Sequence, residues 1–409
     1  MEKDNQPRQT AADIYSPFHR PIYMMAKPAG AACNLACGYC YYLDKASMAP
    51  GGRPGVMSDE TLEHFIRSYI EAQPTTDVLF TWHGGEPLLR GIKFYERALA
   101  LQCKYAGGHR IDNCIQTNGT LINRDWCGFF RDNGFLVGLS IDGSRVMHNR
   151  YRLTSDGRPT WAAVTMAAAL LDLYGVEWNA MAVVSRETET DPLGFYRYFR
   201  DELKCRYLQF APLVEREHAG RLLSPDDPGG VITPFSVTPQ GWGEFLCAVY
   251  DEWVIHDVGS MFVQLFDATL ANWAGQPPGL CTLAPDCGHA LVLEHDGTVY
   301  SCDHFVYPDH CLGNISDTPI PAMFVSPRQR EFAERSRRLP KECLSCQWLH
   351  LCHGECPKNR IVPSSEPGKP LNYLCPGYKR FFSHSASTMQ TMLALWQQGK
   401  PASEVMKHT

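Results

Sequence analysis

Between about residues 22 and 212, short runs of β-branched and apolar residues alternate with longer runs in which apolar positions recur every three or four residues. The short runs predict strands at Ile22–Ala26, Val78–Trp82, Asp112–Thr117, Phe135–Ile141, Glu177–Val184 and Tyr207–Ala211. The longer ones predict helices. Ser58 is placed to cap the first, whose Leu62, Phe65, Ile66, Tyr69 and Ile70 share one face, and others run near 92–105, 123–132, 160–174 and 192–203. Regular alternation of this kind predicts an α/β fold with a parallel sheet. Six units suit a partial, open (β/α)6 barrel of the TIM type rather than a closed eight-stranded one.

In such barrels the chemistry gathers on the loops that follow the strands. Here those loops carry the least generic residues. The first strand leads into Cys33-Asn-Leu-Ala-Cys37-Gly-Tyr-Cys40, and the second ends in His83-Gly84-Gly85-Glu86-Pro87. The third ends in Gln116-Thr117-Asn118-Gly119 and the fourth in Ser140-Ile141-Asp142-Gly143. Residues 213–240, rich in Pro, Gly and charge, read as a long loop, followed by helices at about 241–255 and 261–274. From Cys281 onward the pattern yields one β-hairpin, Ala290–His295 and Thr298–Cys302 around Asp296-Gly297, and little else that is regular, as expected where metal bonds replace a core. These shifts predict a flexible arm over 1–20, the barrel over 21–240, a helical connector over 241–280, a small cysteine-rich domain over 281–382 and a C-terminal helix or tail over 383–409.

Charge and composition narrow the class. Thirty-eight basic and 44 acidic residues leave a formal charge of -6, which argues against nucleic acid as the main partner. No apolar run is long enough to span a bilayer, and the first residues lack the apolar core of a secretory signal. The expectation is a cytoplasmic protein with no membrane partner. Seventeen cysteines, an odd number, fit a disulfide framework poorly; soft thiolates in such numbers hold zinc or iron–sulfur clusters.

Cys33, Cys37 and Cys40 form C-x3-C-x2-C, one ligand short of a closed four-thiolate site. The triplet alone also fits a zinc knuckle with a distant fourth ligand. With Tyr39 before its last cysteine, and with Gly84-Gly85-Glu86-Pro87 after the next strand, it resembles the signature of the radical S-adenosylmethionine (SAM) enzymes. That resemblance implies a 4Fe-4S cluster on the three cysteines, with SAM chelated to the open iron. It also implies contacts to SAM from Tyr39, Gly84, Gly85, Glu86, Ser140, Arg152 and Leu208, the glycines letting backbone approach the methionine moiety and Glu86 accepting from its ammonium. Asp142 is read as capping its own turn.

Downstream, C281-x5-C287-x14-C302 and C343-x2-C346-x5-C352-x3-C356-x18-C375 supply eight thiolates, enough for two four-ligand sites, and zinc is again a possible occupant by spacing alone. The pattern resembles the SPASM extension of radical SAM enzymes. The resemblance implies two auxiliary 4Fe-4S clusters, one on Cys281, Cys287, Cys302 and Cys356, the other on Cys343, Cys346, Cys352 and Cys375, and so three clusters in all. Most of Cys103, Cys114, Cys127, Cys205, Cys247 and Cys311 read as small buried hydrophobes.

Within that superfamily the chain is most similar to the anaerobic sulfatase-maturating enzymes, on Lys27-Pro28, Cys40-Tyr41-Tyr42-Leu43, Gln116–Thr120, Phe135–Gly143 and Leu208-Gln209-Phe210. The resemblance implies radical oxidation of one cysteine or serine of a sulfatase to Cα-formylglycine. Its partners would be an unfolded or nascent sulfatase segment bearing Cys/Ser-x-Pro/Ala-x-Arg and a reduced flavodoxin- or ferredoxin-type electron donor. Asp303, beside Cys302, matches the family's general base, with a carboxyl expected to be raised by its apolar and anionic surroundings. Tyr42 is expected to line the substrate end of the cavity. His83 stands where many such maturases have glutamine, and is read either as a substrate contact or as a packed histidine. Two other readings remain at this point: a radical SAM/SPASM enzyme modifying a ribosomally made peptide, and a non-catalytic zinc-stabilised scaffold. Only about 20 residues precede the first strand, too few for the peptide-recognition domain expected in many enzymes of the first kind.

Overall fold

The computed structural model describes residues 21–42, 45 and 55–407. The arm expected over 1–20 lies outside them. The strands are β1 (Tyr23–Ala26), β2 (Asp77–Trp82), β3 (Arg110–Thr117), β4 (Leu136–Ser140), β5 (Trp178–Val184), β6 (Tyr207–Pro212), β7 (Arg216–His218), β8 (Arg221–Leu222), β9 (Val231–Ile232), β10 (Phe262–Val263), β11 (Ala290–Leu293), β12 (Thr298–Tyr300) and β13 (Cys311–Asn314). The helices include α1 (Asp59–Glu71), α2 (Ile92–Tyr105), α3 (Arg124–Asp132), α4 (Arg145–Tyr151), α5 (Trp161–Tyr174), α6 (Pro192–Arg197), α7 (Pro239–His256), α8 (Gln264–Trp273) and α9 (Cys375–Gln397). The six predicted strands are thus β1–β6, each within two residues of its expected ends.

The chain divides into two compact units. Of the described residues, the first draws on 21–32, 55–114 and 288–333. Its strands run in the order β3-β2-β1-β11-β12-β13, with β1 parallel to β2 and β11, and with β11, β12 and β13 antiparallel in turn. The hairpin is where the sequence predicts it. Its parallel pairing with β1, about 265 residues upstream, leaves no local pattern to read. Ser58 caps α1 by accepting from the Thr61 N–H, and the expected Leu62, Phe65, Ile66, Tyr69 and Ile70 are the buried face. Tyr69, Phe65, Phe80 and Trp82 build the aromatic core between that helix and β2.

The second unit holds Cys33–Lys45, Ile115–Cys287 and Glu334–Thr409, with strands in the order β10-β6-β5-β4-β3 and β4, β5, β6 and β10 all parallel. β3 passes from one unit to the other at Cys114–Ile115. Among the described residues β10 and β13 are each paired on one side only, so the sheet is open as expected. Three details differ from the sequence reading. Residues 213–240 contain a small antiparallel sheet, β8-β7-β9, whose strands of two and three residues are too short to show a period. Phe262–Val263, read as the start of a helix, pairs with β6 as β10. The cysteine-rich region ends in a regular element: α9 begins at Cys375 and packs along α7, with Gly243 and Gly377 so close that a Cβ on Gly243 would lie 2.8 Å from the Gly377 Cα.

Candidate active site

The loop bearing the first cysteines belongs to the second unit and is pinned by backbone. Ala36 N–H donates to the Leu153 carbonyl at 2.8 Å and Gly38 N–H to that of Tyr151 at 3.1 Å, and Cys40 N–H closes a turn onto Cys37 at 2.9 Å. Leu35, Cys37, Tyr39 and Leu213 form an apolar cluster against which Cys33, Cys40, Tyr151, Val183 and Phe235 pack. Cys33 Sγ accepts from Leu35 N–H at 3.4 Å and from Asn118 Nδ2 at 3.6 Å. Burial pushes the Cys37 thiol up to about 12; Arg152 pulls it down, while Cys40, Asp142 and Cys33 push it up. Three thiols that repel one another as thiolates in an apolar pocket need a cationic metal centre to be deprotonated together.

Asp142 ties this half of the site together. Its carboxylate accepts from Arg152 Nε at 2.9 Å, from Val183 N–H at 3.0 Å and from the Tyr39 hydroxyl. These bonds leave its own turn, so the expected turn cap is replaced by a buried tie. Arg152, buried, also lies 5.7 Å above the Tyr39 ring. Ser140, the last residue of β4, accepts from Gln116 Nε2 at 2.9 Å. Ser140 pairs with Met181 and Met181 with Gln209, whereas Leu208 shares a row with Ala180 and Leu139. Side chains alternate along a strand, so Leu208 points to the opposite face from Ser140 and is fully buried there. A contact from Leu208 to anything on the Ser140 face is made by its backbone; Gln209 offers the side chain. Tyr42 is buried, edge-on to Tyr41 at 5.9 Å.

In the first unit the Gly-Gly-Glu-Pro segment is locked to the chain leading towards Cys33. Gly85 N–H donates to the Gly30 carbonyl and Glu86 N–H to that of Ala32, both at 2.8 Å. A Cβ on Gly85 would sit 2.2 Å from the Ala32 oxygen, so the backbone that this glycine admits is the protein's own. Gly84 takes a φ of +136°, open only to glycine. Glu86 is fully buried, and its Oε1 accepts from Leu88 N–H at 2.9 Å, capping a short turn.

Three chemically active side chains meet beside this segment. Lys27 follows β1, His83 follows β2 and Asp303 follows Cys302. Lys27, with 0% exposure, makes an ion pair through Nζ with Asp303 Oδ1. Burial pushes the Asp303 carboxyl up, but Lys27 first, and then the His83 and His304 rings once acid has protonated them, outweigh this and hold it well below the ordinary range. The raised carboxyl expected from sequence is thereby corrected: the reason is Lys27. His83 Nδ1 accepts from Gly84 N–H at 2.8 Å, and burial, reinforced by Lys27, pushes its ring down to about 4, so it is neutral at pH 7.

Of the downstream cysteines, Cys343, Cys346, Cys352 and Cys375 lie in the second unit within electrostatic reach of one another. Burial and then Cys375 and Cys346 raise Cys343; burial, Glu355, Cys375 and Cys343 raise Cys352 to about 12. By residue type these four are soft thiolate donors, though among the described residues no group of three or more His, Cys, Asp or Glu side chains is arranged to hold a metal ion. Cys281, Cys287 and Cys356 are also in the second unit, and Cys302 is in the first. Sequence reasoning missed the roles of Lys27, Asn118 and the Tyr151–Leu153 clamp. A charged residue closing the apolar run Tyr23–Ala26 was the available signal for Lys27; the other two are set by pairing distant in sequence.

A family model for the radical SAM superfamily matches residues 28–199, and one for an iron–sulfur cluster-binding domain, SPASM, matches 286–347. The chain is 51% identical over 403 residues to a serine-type anaerobic sulfatase-maturating enzyme of Bacteroides thetaiotaomicron, covering 97% of each. It is 33% identical over 371 residues to a cysteine-type anaerobic sulfatase-maturating enzyme of Clostridium perfringens, covering 89% of this chain and 96% of the relative. Among solved structures, native anSMEcpe with bound AdoMet and Cp18Cys peptide matches at a TM-score of 0.82 and 31% identity, over 92% of this chain and 99% of that one. Streptococcus suis SuiB bound to S-adenosylmethionine shares the fold, at a TM-score of 0.59 and 16% identity over 87% of this chain and 77% of that one.

Proposed function

This chain belongs to the anaerobic sulfatase-maturating enzymes, radical SAM proteins with a SPASM iron–sulfur domain, and from that premise we infer that it oxidises one cysteine or serine of a sulfatase to Cα-formylglycine. The carrying observation is likeness over nearly the whole length of both chains to a maturase. Three 4Fe-4S clusters and SAM are its cofactors. When bound, they supply the hydrogen-abstracting radical and an electron acceptor, chemistry that no side chain provides.

The chain's own residues do the rest. In this reading residues 21–240 form the SAM half, 241–280 connect, 281–382 hold the auxiliary clusters and 383–409 close the chain. Cys33, Cys37 and Cys40 hold the cluster that binds SAM; Cys281, Cys287, Cys302 and Cys356 hold one auxiliary cluster, and Cys343, Cys346, Cys352 and Cys375 the other. Tyr39, Gly84, Gly85, Glu86, Ser140, Arg152 and the Leu208 backbone line the SAM groove. Tyr42 and neutral His83 face the target segment. Asp303, an acceptor already ionised at neutral pH, takes the proton that leaves the sulfur or oxygen of the target residue. A cytoplasmic setting suits seventeen thiols, and a reduced flavodoxin- or ferredoxin-type protein supplies the electron.

The test is anaerobic incubation of the cluster-loaded enzyme with SAM, reductant and peptides bearing Cys-x-Pro-x-Arg or Ser-x-Pro-x-Arg, followed by mass spectrometry. Aldehyde on either peptide is the expected product. Intact peptides beside abundant 5′-deoxyadenosine overturn the substrate assignment.

A further inference from the structure

Lys27 is the one residue of the Lys27–Asp303–His83 group for which the reaction above has no use. It has 0% exposure, although a lysine side chain costs several kcal/mol to bury as a cation unless paired. Its partner is the carboxylate of Asp303, whose own side chain keeps 17% exposure. The ammonium is therefore behind and the carboxylate in front. Lys27 is fixed from below: its N–H donates to the Leu293 carbonyl of β11 at 2.8 Å, and its Cα and Cβ lie within 3.6 Å of where a Gly84 side chain would begin. Asp303 heads a single 3-10 turn, Asp303–Phe305, too short to orient a carboxylate by itself. The third member, His83, is held in place by the Gly84 N–H, which its Nδ1 accepts.

We propose that Lys27 is a positioning residue that turns the Asp303 carboxylate towards the target side chain, and so couples hydrogen abstraction to formation of the aldehyde. This rests on the reading of Asp303 as the proton acceptor. A geometric role of this kind separates two outcomes that a role in SAM binding or folding does not: SAM is still cleaved, while the abstracted position is not carried on to product.

The experiment uses cluster-loaded full chains of wild type, Lys27→Met, Lys27→Arg, Asp303→Asn and the double variant Lys27→Met/Asp303→Asn. Measured are 5′-deoxyadenosine per aldehyde, kcat and KM for the peptide, iron content, and crystal structures of wild type and Lys27→Met. Misplacing an acceptor by about 1 Å costs up to about 100-fold, so Lys27→Met is expected to raise the deoxyadenosine-to-aldehyde ratio at least about tenfold. KM stays within about threefold, since substrate binding is not what the pair provides. Lys27→Arg restores part of the coupling, the double variant is no worse than Asp303→Asn because the two residues act as one unit, and the Lys27→Met structure shows the Asp303 side chain displaced. Where Lys27→Met leaves Asp303 buried and uncompensated and fails to fold, Lys27→Arg and the double variant, which keep the charge balance, carry the test. A wild-type ratio in Lys27→Met with strong uncoupling in Asp303→Asn overturns the role of Lys27 and leaves the acceptor reading standing. So does a double variant whose losses multiply. Full coupling in Asp303→Asn overturns both.

Discussion

His148 is completely buried on α4, its Nδ1 3.3 Å from the Asp142 N–H and its Nε2 3.0 Å from the Thr160 hydroxyl. Burial is the main cause that holds its ring down at about 4, with Asp142 pulling up and Arg152 pushing down. The folded protein thus binds a proton less readily here than the unfolded chain, whose histidine titrates near 6.5. Stability attributable to this site is intact above pH 6.5 and falls with pH until about 4, by about 3 kcal/mol in all. His148→Gln, which cannot gain the proton, removes that dependence: thermal midpoints of wild type and variant at pH 7.5 and 5 are expected to converge on acidification. A parallel fall in both places the acid sensitivity elsewhere.

At the scale of elements, the turn after β2 shows why its residue types are fixed. The Gly85 Cα lies where any side chain collides with the Ala31 and Ala32 backbone, which the Gly85 and Glu86 N–H bonds to Gly30 and Ala32 hold in place. Gly85→Ala is expected to cost about 2–3 kcal/mol, the cost of overpacking a rigid site, and to lower the melting temperature even before SAM is added. Gly128, inside α3 with open space around its Cα, is the control: alanine there gains about 0.5–1 kcal/mol from helix propensity. Equal effects of the two substitutions would refute the packing account. Gly-Gly-Glu-Pro was legible in the sequence, and so were β1–β6 and the face of α1, because each rests on local periodicity or on residue types that a turn demands. What escaped was set at long range. The pairing of β1 with β11, the switch of Leu208 to the face opposite Ser140, and the capture of Asp303 by Lys27 depend on register and burial, to which neighbouring residues are blind. Strands as short as β7, β8 and β9 carry too few residues for a period to emerge.

For the molecule as a whole the governing constraint is electron and proton balance. Turning a CH2–OH or CH2–SH group into an aldehyde or thioaldehyde removes one hydrogen atom, then one proton and one electron. The hydrogen atom is the business of the SAM half and, in the function proposed above, the proton is that of Asp303. The electron needs a conductor, and in the proposed function the cluster on Cys343, Cys346, Cys352 and Cys375 is the candidate. Cys343→Ala/Cys346→Ala leaves Cys33, Cys37 and Cys40 untouched. It is expected to remove about four irons per chain, keep SAM cleavage, and raise deoxyadenosine per aldehyde at least about tenfold. That ratio alone does not distinguish it from Asp303→Asn, but an added one-electron acceptor does. It replaces a missing electron route and not a missing proton acceptor, so it restores aldehyde to the double-cysteine variant and leaves Asp303→Asn uncoupled. Should the acceptor rescue neither variant, these four thiols serve the structure of the region around α9 rather than electron removal, and the melting temperature of the double-cysteine variant would then fall together with its coupling.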